Sequence, residues 1–247
     1  MIKKFFELLK PYSTNELTKI RLGKSNDGGY VVAKELIYKS KTLISFGIGN
    51  DISFEEDFSS LISTSNIRCY DHTIDKIDTK YNNITLFKEG LNNKTISLTK
   101  NNPDTTTIKI DIEGNEWDIL DRIYLSDQII IEIHILPVEY LGKHSPYFTE
   151  MFSDFYNKQN QKIFDIYYNT LNKVLKTHFI FHIHANNSLP KITIGEFCFP
   201  PLLELTLINK NIVDNQTLSY KYPDSLDMPN KTDRPDIINI FPFEVSK

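Results

Sequence analysis

The chain has 247 residues, 40% of them hydrophobic and 24% charged, with a net charge of −4 at pH 7. That length buries one core of α/β size and leaves a second complete domain cramped. Mild acidity with scattered Lys and Arg argues against a nucleic-acid partner, and no run approaches the roughly 18 apolar residues of a membrane span.

The N-terminus, MIKKFFELLKPY, sets Ile2, Phe5, Phe6, Leu8 and Leu9 at helical spacing, and Pro11 ends the pattern. Its short apolar patch lacks a small-residue cleavage site, so no secretory signal is expected. Cys69 and Cys198 lie in apolar strand-like runs and read as small buried hydrophobes, which fits a reducing cytoplasm. Asn26-Asp27-Gly28-Gly29-Tyr30 between apolar runs reads as a hairpin turn. The functional alternative is a lip that folds over a cofactor, with Arg21 near a carboxylate.

Residues Thr42 to Phe58, TLISFGIGNDISFEEDF, organise the chain. Leu43, Ile44 and Phe46 form a short strand, Gly47-Ile48-Gly49-Asn50-Asp51 a turn, and Ser53 opens a helix running to about Ser63. Two glycines let the backbone approach a ligand, and the helix start offers unpaired N–H groups. The third glycine of the dinucleotide fingerprint is missing, since Ile52, Ser53 and Phe54 follow the turn. The turn therefore suits a cofactor without a pyrophosphate, such as S-adenosylmethionine, although a plain strand-to-helix turn fits the same residues.

Ile67 to Asp71 reads as a second strand ending in an acid about 20 positions past the glycine turn, where α/β nucleotide folds bind ribose hydroxyls. Asp71 takes that role, with a solvated strand-end carboxylate as the alternative, and His72 shapes the pocket. Ile84 to Lys88 is a third strand ending at Glu89-Gly90, and residues 91–103 read as surface loop. Thr107 to Ile110 is a fourth, running into Asp111, Glu113 and Gly114 and then a helix with Trp117, Ile119, Leu120 and Ile123 as apolar positions. Ile129 to Ile133 is a fifth strand, apolar enough to be covered on both faces.

Residues 146–175 look helical in parts, Phe179 to His184 and Leu202 to Ile208 are the sixth and seventh strands, and a proline-bearing tail follows from Asn209. The expected organisation is one domain over 1–247, with an N-terminal helix and lip (1–40), a core sheet (41–208) and a C-terminal wrap (209–247). Strands alternating with helical patterns predict a doubly wound parallel α/β sheet whose ligands bind beyond the carboxyl ends of its strands.

Glu132-Ile133-His134 and His182-Ile183-His184 each place two polar groups on one strand face. Burial without partners would cost a few kcal/mol per group, so they should meet one another, a metal or a ligand. With Asp111 they supply mixed oxygen and nitrogen donors suited to Mg²⁺, Mn²⁺ or Fe²⁺. Asp111, His134 and His184 are the expected metal ligands. Glu132 and His182, one step deeper, are the expected base or supporting groups.

FGIGNDISFEEDF, YDHTI, KIDIEGNEW, IEIH, HIHANN and LLELT, with the earlier RLG and NDGGYVV, resemble the methyltransferase-like domain family related to FkbM-type S-adenosylmethionine-dependent methyltransferases. The resemblance spans about residues 20–208. It implies a class I methyltransferase (Rossmann-like) fold, a doubly wound seven-stranded sheet with the last strand antiparallel, and methyl transfer to oxygen. Gly47 and Gly49 would then meet the methionine part of the cofactor, Asp71 its ribose, and Asp111 would lie beside the methyl donor. The expected cofactor set is Phe46, Gly47, Gly49, Asn50, Ser53, Phe54, Glu55, Asp71, His72, Glu89, Asp111 and Glu113. The expected acceptor is a sugar hydroxyl, nucleotide-linked or in a surface or capsular polysaccharide precursor. Two alternatives remain: a non-catalytic S-adenosylmethionine or sugar-nucleotide binding module, and a nicotinamide-dependent oxidoreductase.

Overall fold

The computed structural model describes residues 1–100, 105–120, 122, 126–135, 162–219 and 221–242. It is an α/β protein with a central seven-stranded sheet, ordered β6-β5-β4-β7-β8-β12-β9. The strands are β4 (Thr42–Phe46), β5 (Asn66–Tyr70), β6 (Ile84–Phe87), β7 (Thr106–Ile110), β8 (Gln128–His134), β9 (His178–Ala185) and β12 (Leu202–Asn209). β4 to β8 run parallel. The last of the seven in sequence, β12, is antiparallel to both neighbours. The chain starts at β4, winds outward to β6, then returns to β7 on the other side of β4. That reversal makes β4/β7 the topological switch point, where open α/β sheets bind ligands.

Alternation along the strands divides the core between two faces. Ile44, Phe46, Ile108, Ile110, Ile129, Ile131 and Ile133 point into the larger apolar cluster. There Phe5 and Phe6 of α1 (Ile2–Leu8) meet Phe164 and Tyr167 of α5 (residues 162–174), and Tyr167 stacks on Trp117 at 4.2 Å. The opposite face takes Leu43, Ile130 and the Phe54 and Phe58 stripe of α3 (Ser53–Leu61). On that face fall Ser45, Lys109, Glu132, His134, His182, His184, Glu204 and Thr206, so the same-face reading of Glu132/His134 and of His182/His184 holds.

A two-stranded hairpin covers this polar face. β2 (Lys19–Leu22) pairs with β3 (Tyr30–Ala33) through the Asp27-Gly28-Gly29 turn. Ala33 N–H donates to Gln128 Oε1 at 2.7 Å and Thr206 Oγ1 donates to the Val31 carbonyl at 2.5 Å, which fastens β3 across β8 and β12. Among the described residues Arg21 forms no ion pair; its guanidinium donates to the Lys24 and Asn26 carbonyls and closes its own turn.

Two elements depart from the sequence reading. Residues 93–100, expected as loop, form α4 (Asn93–Ser97) and a 3-10 turn, started by a reciprocal Asn92/Thr95 capping box. Residues 116–118, expected to start a helix, make only a 3-10 turn, and residue 123 lies outside the described residues. Of the expected helical stretch 146–175, residues 146–161 also lie outside them. The remaining elements are peripheral: α2 (Lys34–Lys39), a hairpin of β10 (Ile192–Ile194) and β11 (Phe197–Phe199), and β1 (Tyr12–Ser13) paired with β13 (Thr217–Leu218). Among the described residues no helix is long and apolar enough to cross a membrane.

Candidate active site at the sheet's switch point

A cleft of about 1000 Å³ opens beyond the carboxyl ends of β4 and β7. Of the expected cofactor residues, Gly47, Gly49, Asn50, Asp71, His72, Asp111 and Glu113 line it. Phe46 and Phe54 are core residues behind it, Ser53 accepts from the Lys24 amide, and Glu89 pairs with Lys94 at 3.1 Å on the surface. The hairpin contributes Lys24, Asn26, Asp27, Gly28 and Tyr30, as a lip should. Six carboxylates line the cleft (Asp27, Asp51, Asp71, Asp111, Glu113, Asp118) against four cations (Lys24, Lys109, Arg122, Lys231).

The glycine turn is held from below. Asp71 Oδ2 accepts from the Ile48 and Gly49 amides at 3.1 and 2.9 Å, while Oδ1 accepts from the Thr73 amide and hydroxyl. A carboxylate has about four acceptor positions, and all are filled here by protein donors. Asp71 is therefore a clasp on the turn rather than a carboxylate standing open to a ribose. These bonds outweigh its burial and hold its pKa below the usual value. Asp51 accepts from the Ser53 amide in the turn that leads into α3.

Beneath the turn, Glu55 and Lys109 form a buried pair at 3.7 Å. Ser45 donates to Glu55 at 2.5 Å, and the ammonium also donates to the Gly47 carbonyl at 3.4 Å. Lys109 lies over the rings of Tyr30 and Phe54, at 5.2 and 6.0 Å from their centroids. Glu55 thus supports the turn from within.

At the ends of β7 and β8 a second group converges. Tyr30 donates to Asp111 Oδ2 at 3.0 Å, and burial pushes the Asp111 carboxyl up to about 6, against the pull of Lys109 and His134. Glu116, fully buried, uses Oε1 to accept the Ile112 and Gly114 amides, so its side chain braces the Asp-Ile-Glu-Gly loop. Its Oε2 lies 3.2 Å from His134 Nδ1, and Glu113 Oε2 lies 3.5 Å from His134 Nε2. Burial opposes a charge on this imidazole, but the Glu113 and Glu116 carboxylates outweigh it and raise its pKa to about 11. Glu113 adopts φ +57°, a conformation costly for a non-glycine residue and frequent at functional sites.

Asp111, Glu116 and His134 bring one ligand-type atom each to within 4.8 Å of one another. The sequence hides Glu116 because Trp117, Ile119 and Leu120 beside it fit a helical stripe, whereas the chain makes a 3-10 turn there. The signal present was an acid five positions past Asp111 in the same loop. His184 does not join this group. β12 separates its strand from β8. Its Nδ1 faces Glu204 at 3.1 Å and its Nε2 faces Asp236 at 3.3 Å.

His182 Nε2 lies 2.9 Å from Asp227 Oδ1 and its Nδ1 is 3.4 Å from Lys19 Nζ, itself paired with Asp224. His182 and His184 thus fasten the C-terminal segment, helped by Asn187, which exchanges hydrogen bonds with the Lys231 backbone. Neither lines the cleft. Glu132 is buried beneath the hairpin and accepts from Asn186 at 2.8 Å. Burial and the nearby Asp111 charge hold its carboxyl well above the usual range. Its bond to Asn186 and its distance from the cleft lining make Glu132 a supporting group.

No family model matches the chain, and no curated protein matches it.

Proposed function

We propose that the chain is an S-adenosylmethionine-dependent methyltransferase acting on a hydroxyl of an uncharged glycan. The observation that carries this reading is the occupation of the glycine-turn amides by Asp71. A dinucleotide pyrophosphate needs such amides as donors, and a carboxylate already in place would repel it. A nicotinamide cofactor is thereby disfavoured. A cationic sulfonium with an amino-acid tail suits a switch-point cleft whose carboxylates outnumber its cations.

The reversed last strand of the sheet is what the resemblance to the FkbM-related methyltransferases implies. When bound, the cofactor supplies an electrophilic methyl whose departure needs no acid. The chain's residues bind and orient. Lys109 and Glu55 keep the turn in place, Asp111 fixes the floor, and the hairpin lip restricts water. The same excess of carboxylates disfavours a diphosphate-linked acceptor, which narrows the acceptor to a neutral sugar hydroxyl.

Calorimetric titration with S-adenosylhomocysteine and, separately, NAD tests the reading. Micromolar binding of the first and none of the second is expected. NAD binding with no heat from S-adenosylhomocysteine would replace the methyltransferase by an oxidoreductase.

A further inference from the structure

We infer that Asp111, Glu116 and His134 form a divalent-metal centre on the floor of the cleft. The inference goes beyond the methyl-transfer reading and stands without it, because it rests on three unsatisfied atoms. Asp111 Oδ1, Glu116 Oε2 and His134 Nδ1 are each buried without a hydrogen-bond partner among the described residues. The side chains that carry them converge to within 4.8 Å. Buried polar atoms are almost always satisfied, and the two carboxylate oxygens repel unless a cation lies between them, a role the His134 imidazolium fills when no metal is bound. His134 Nδ1 and Glu116 Oε2 approach to 3.2 Å but lack hydrogen-bond alignment, so the pair does not satisfy itself.

The second atom of each ligand is held by the protein, as metal ligands require. Tyr30 donates to Asp111 Oδ2. The Ile112 and Gly114 amides donate to Glu116 Oε1. Glu113 stands 3.5 Å from His134 Nε2, the carboxylate–imidazole–metal arrangement that fixes the ring's tautomer. The Trp117 indole donates to the His134 carbonyl at 2.6 Å and anchors the strand end.

Two carboxylates and an imidazole that gives up its proton to the ion balance a divalent charge, so metal binding here releases a proton from His134. Mixed oxygen and nitrogen donors without a thiolate suit Mn²⁺ or Fe²⁺ better than Ca²⁺ or a structural Zn²⁺. Three protein ligands would leave positions free on an octahedral ion, and of the three Asp111 lines the cleft, so access from the cleft would be on the Asp111 side. The sequence reading had His184 as the third ligand; Glu116 replaces it.

The test titrates Mn²⁺ into the full chain after chelation, reading binding by calorimetry and by electron paramagnetic resonance. One Mn²⁺ per chain is expected, with at least tenfold weaker binding in Glu116→Gln and in His134→Gln. Glu116→Gln keeps the oxygen that braces the loop, so circular dichroism should show it folded. His184→Gln should bind Mn²⁺ as the parent does. Labelling with ¹⁵N-histidine should alter the nitrogen coupling of bound Mn²⁺ in the parent and abolish nothing in His184→Gln. Absence of Mn²⁺ and Fe²⁺ binding at millimolar concentration, or equal affinity in folded Glu116→Gln, would overturn the assignment. S-adenosylhomocysteine binding to the same metal-free protein is scored separately, so either proposal can fail alone.

Discussion

Gly47 and Asp111 meet backbone to backbone at the switch point: a Cβ on Gly47 would sit 1.7 Å from the Asp111 carbonyl oxygen. Gly47 also holds φ +70°. Gly47→Ala therefore combines a left-handed backbone with a collision against main chain that cannot rotate away, a loss of about 3 kcal/mol. Gly49 is the internal control. It has φ +52°, but an added Cβ meets nothing within 4 Å, so Gly49→Ala should lose only about 1–2 kcal/mol. Urea melts of the two variants measure the difference. Equal midpoints would mean that the β4 and β7 ends are not in the contact described.

Asp71 carries the glycine turn on one carboxylate, and Asp71→Asn separates its two functions. The amide NH₂ must face either the Ile48 and Gly49 amides or the Thr73 donors, leaving donors opposed at one end. A loss of about 1–3 kcal/mol is expected, together with weaker S-adenosylhomocysteine binding as the turn relaxes. Unchanged ligand affinity in the destabilised variant would remove Asp71 from the binding argument and leave it as a fold residue only.

His184 makes stability pH-dependent. Burial alone would lower its pKa, but the Asp236 and Glu204 carboxylates raise it to about 10. The folded state thus favours the imidazolium. Its contribution is fully present below pH 6.5 and is lost as pH rises toward about 10. Chemical denaturation at pH 6, 8 and 9.5 should show the parent losing stability on that climb, and His184→Gln losing less of it. Parallel curves for the two proteins would show that His184 is not charged in the folded state.

The central sheet was legible because its strands are short apolar runs, three of which (β5, β6 and β7) run into an acid. Strand order was not. His134 and His184 look equivalent as strand-end imidazoles, and a period of two correctly places both on one face. Nothing local says that β12 inserts between their strands, and that insertion removes His184 from the Asp111 cluster. The partners of His182 and His184, Asp227 and Asp236, lie in a tail whose sequence has no periodicity to read. Glu116 was hidden by the opposite error: Trp117, Ile119 and Leu120 fit a helical stripe, yet the chain there makes one tight turn so that Glu116 can reach back to the Ile112 amide. α4 was missed as well: its polar Asn-Lys-Thr composition reads as loop, and the Asn92/Thr95 capping box that starts it does not follow the Ser/Thr-to-Glu/Gln pattern by which such boxes are recognised.

The Lys109–Glu55 pair gives the sharpest test of how the turn is supported, since both side chains are almost fully removed from solvent. Lys109→Met leaves the Glu55 carboxylate buried with Ser45 as its remaining partner. Breaking a buried pair from one side costs about 3–5 kcal/mol, because the surviving charge is uncompensated. Glu55→Gln in the same chain removes that charge while its amide oxygen still accepts from Ser45. The double variant Lys109→Met/Glu55→Gln should therefore be more stable than Lys109→Met alone, recovering at least half of the loss. A double-mutant cycle from urea melts reads this directly as a favourable coupling energy. Simple additivity of the two single losses would show that Glu55 is not charged beneath the turn, and that the Lys109 ammonium is held by the Gly47 carbonyl and the Tyr30 and Phe54 rings instead.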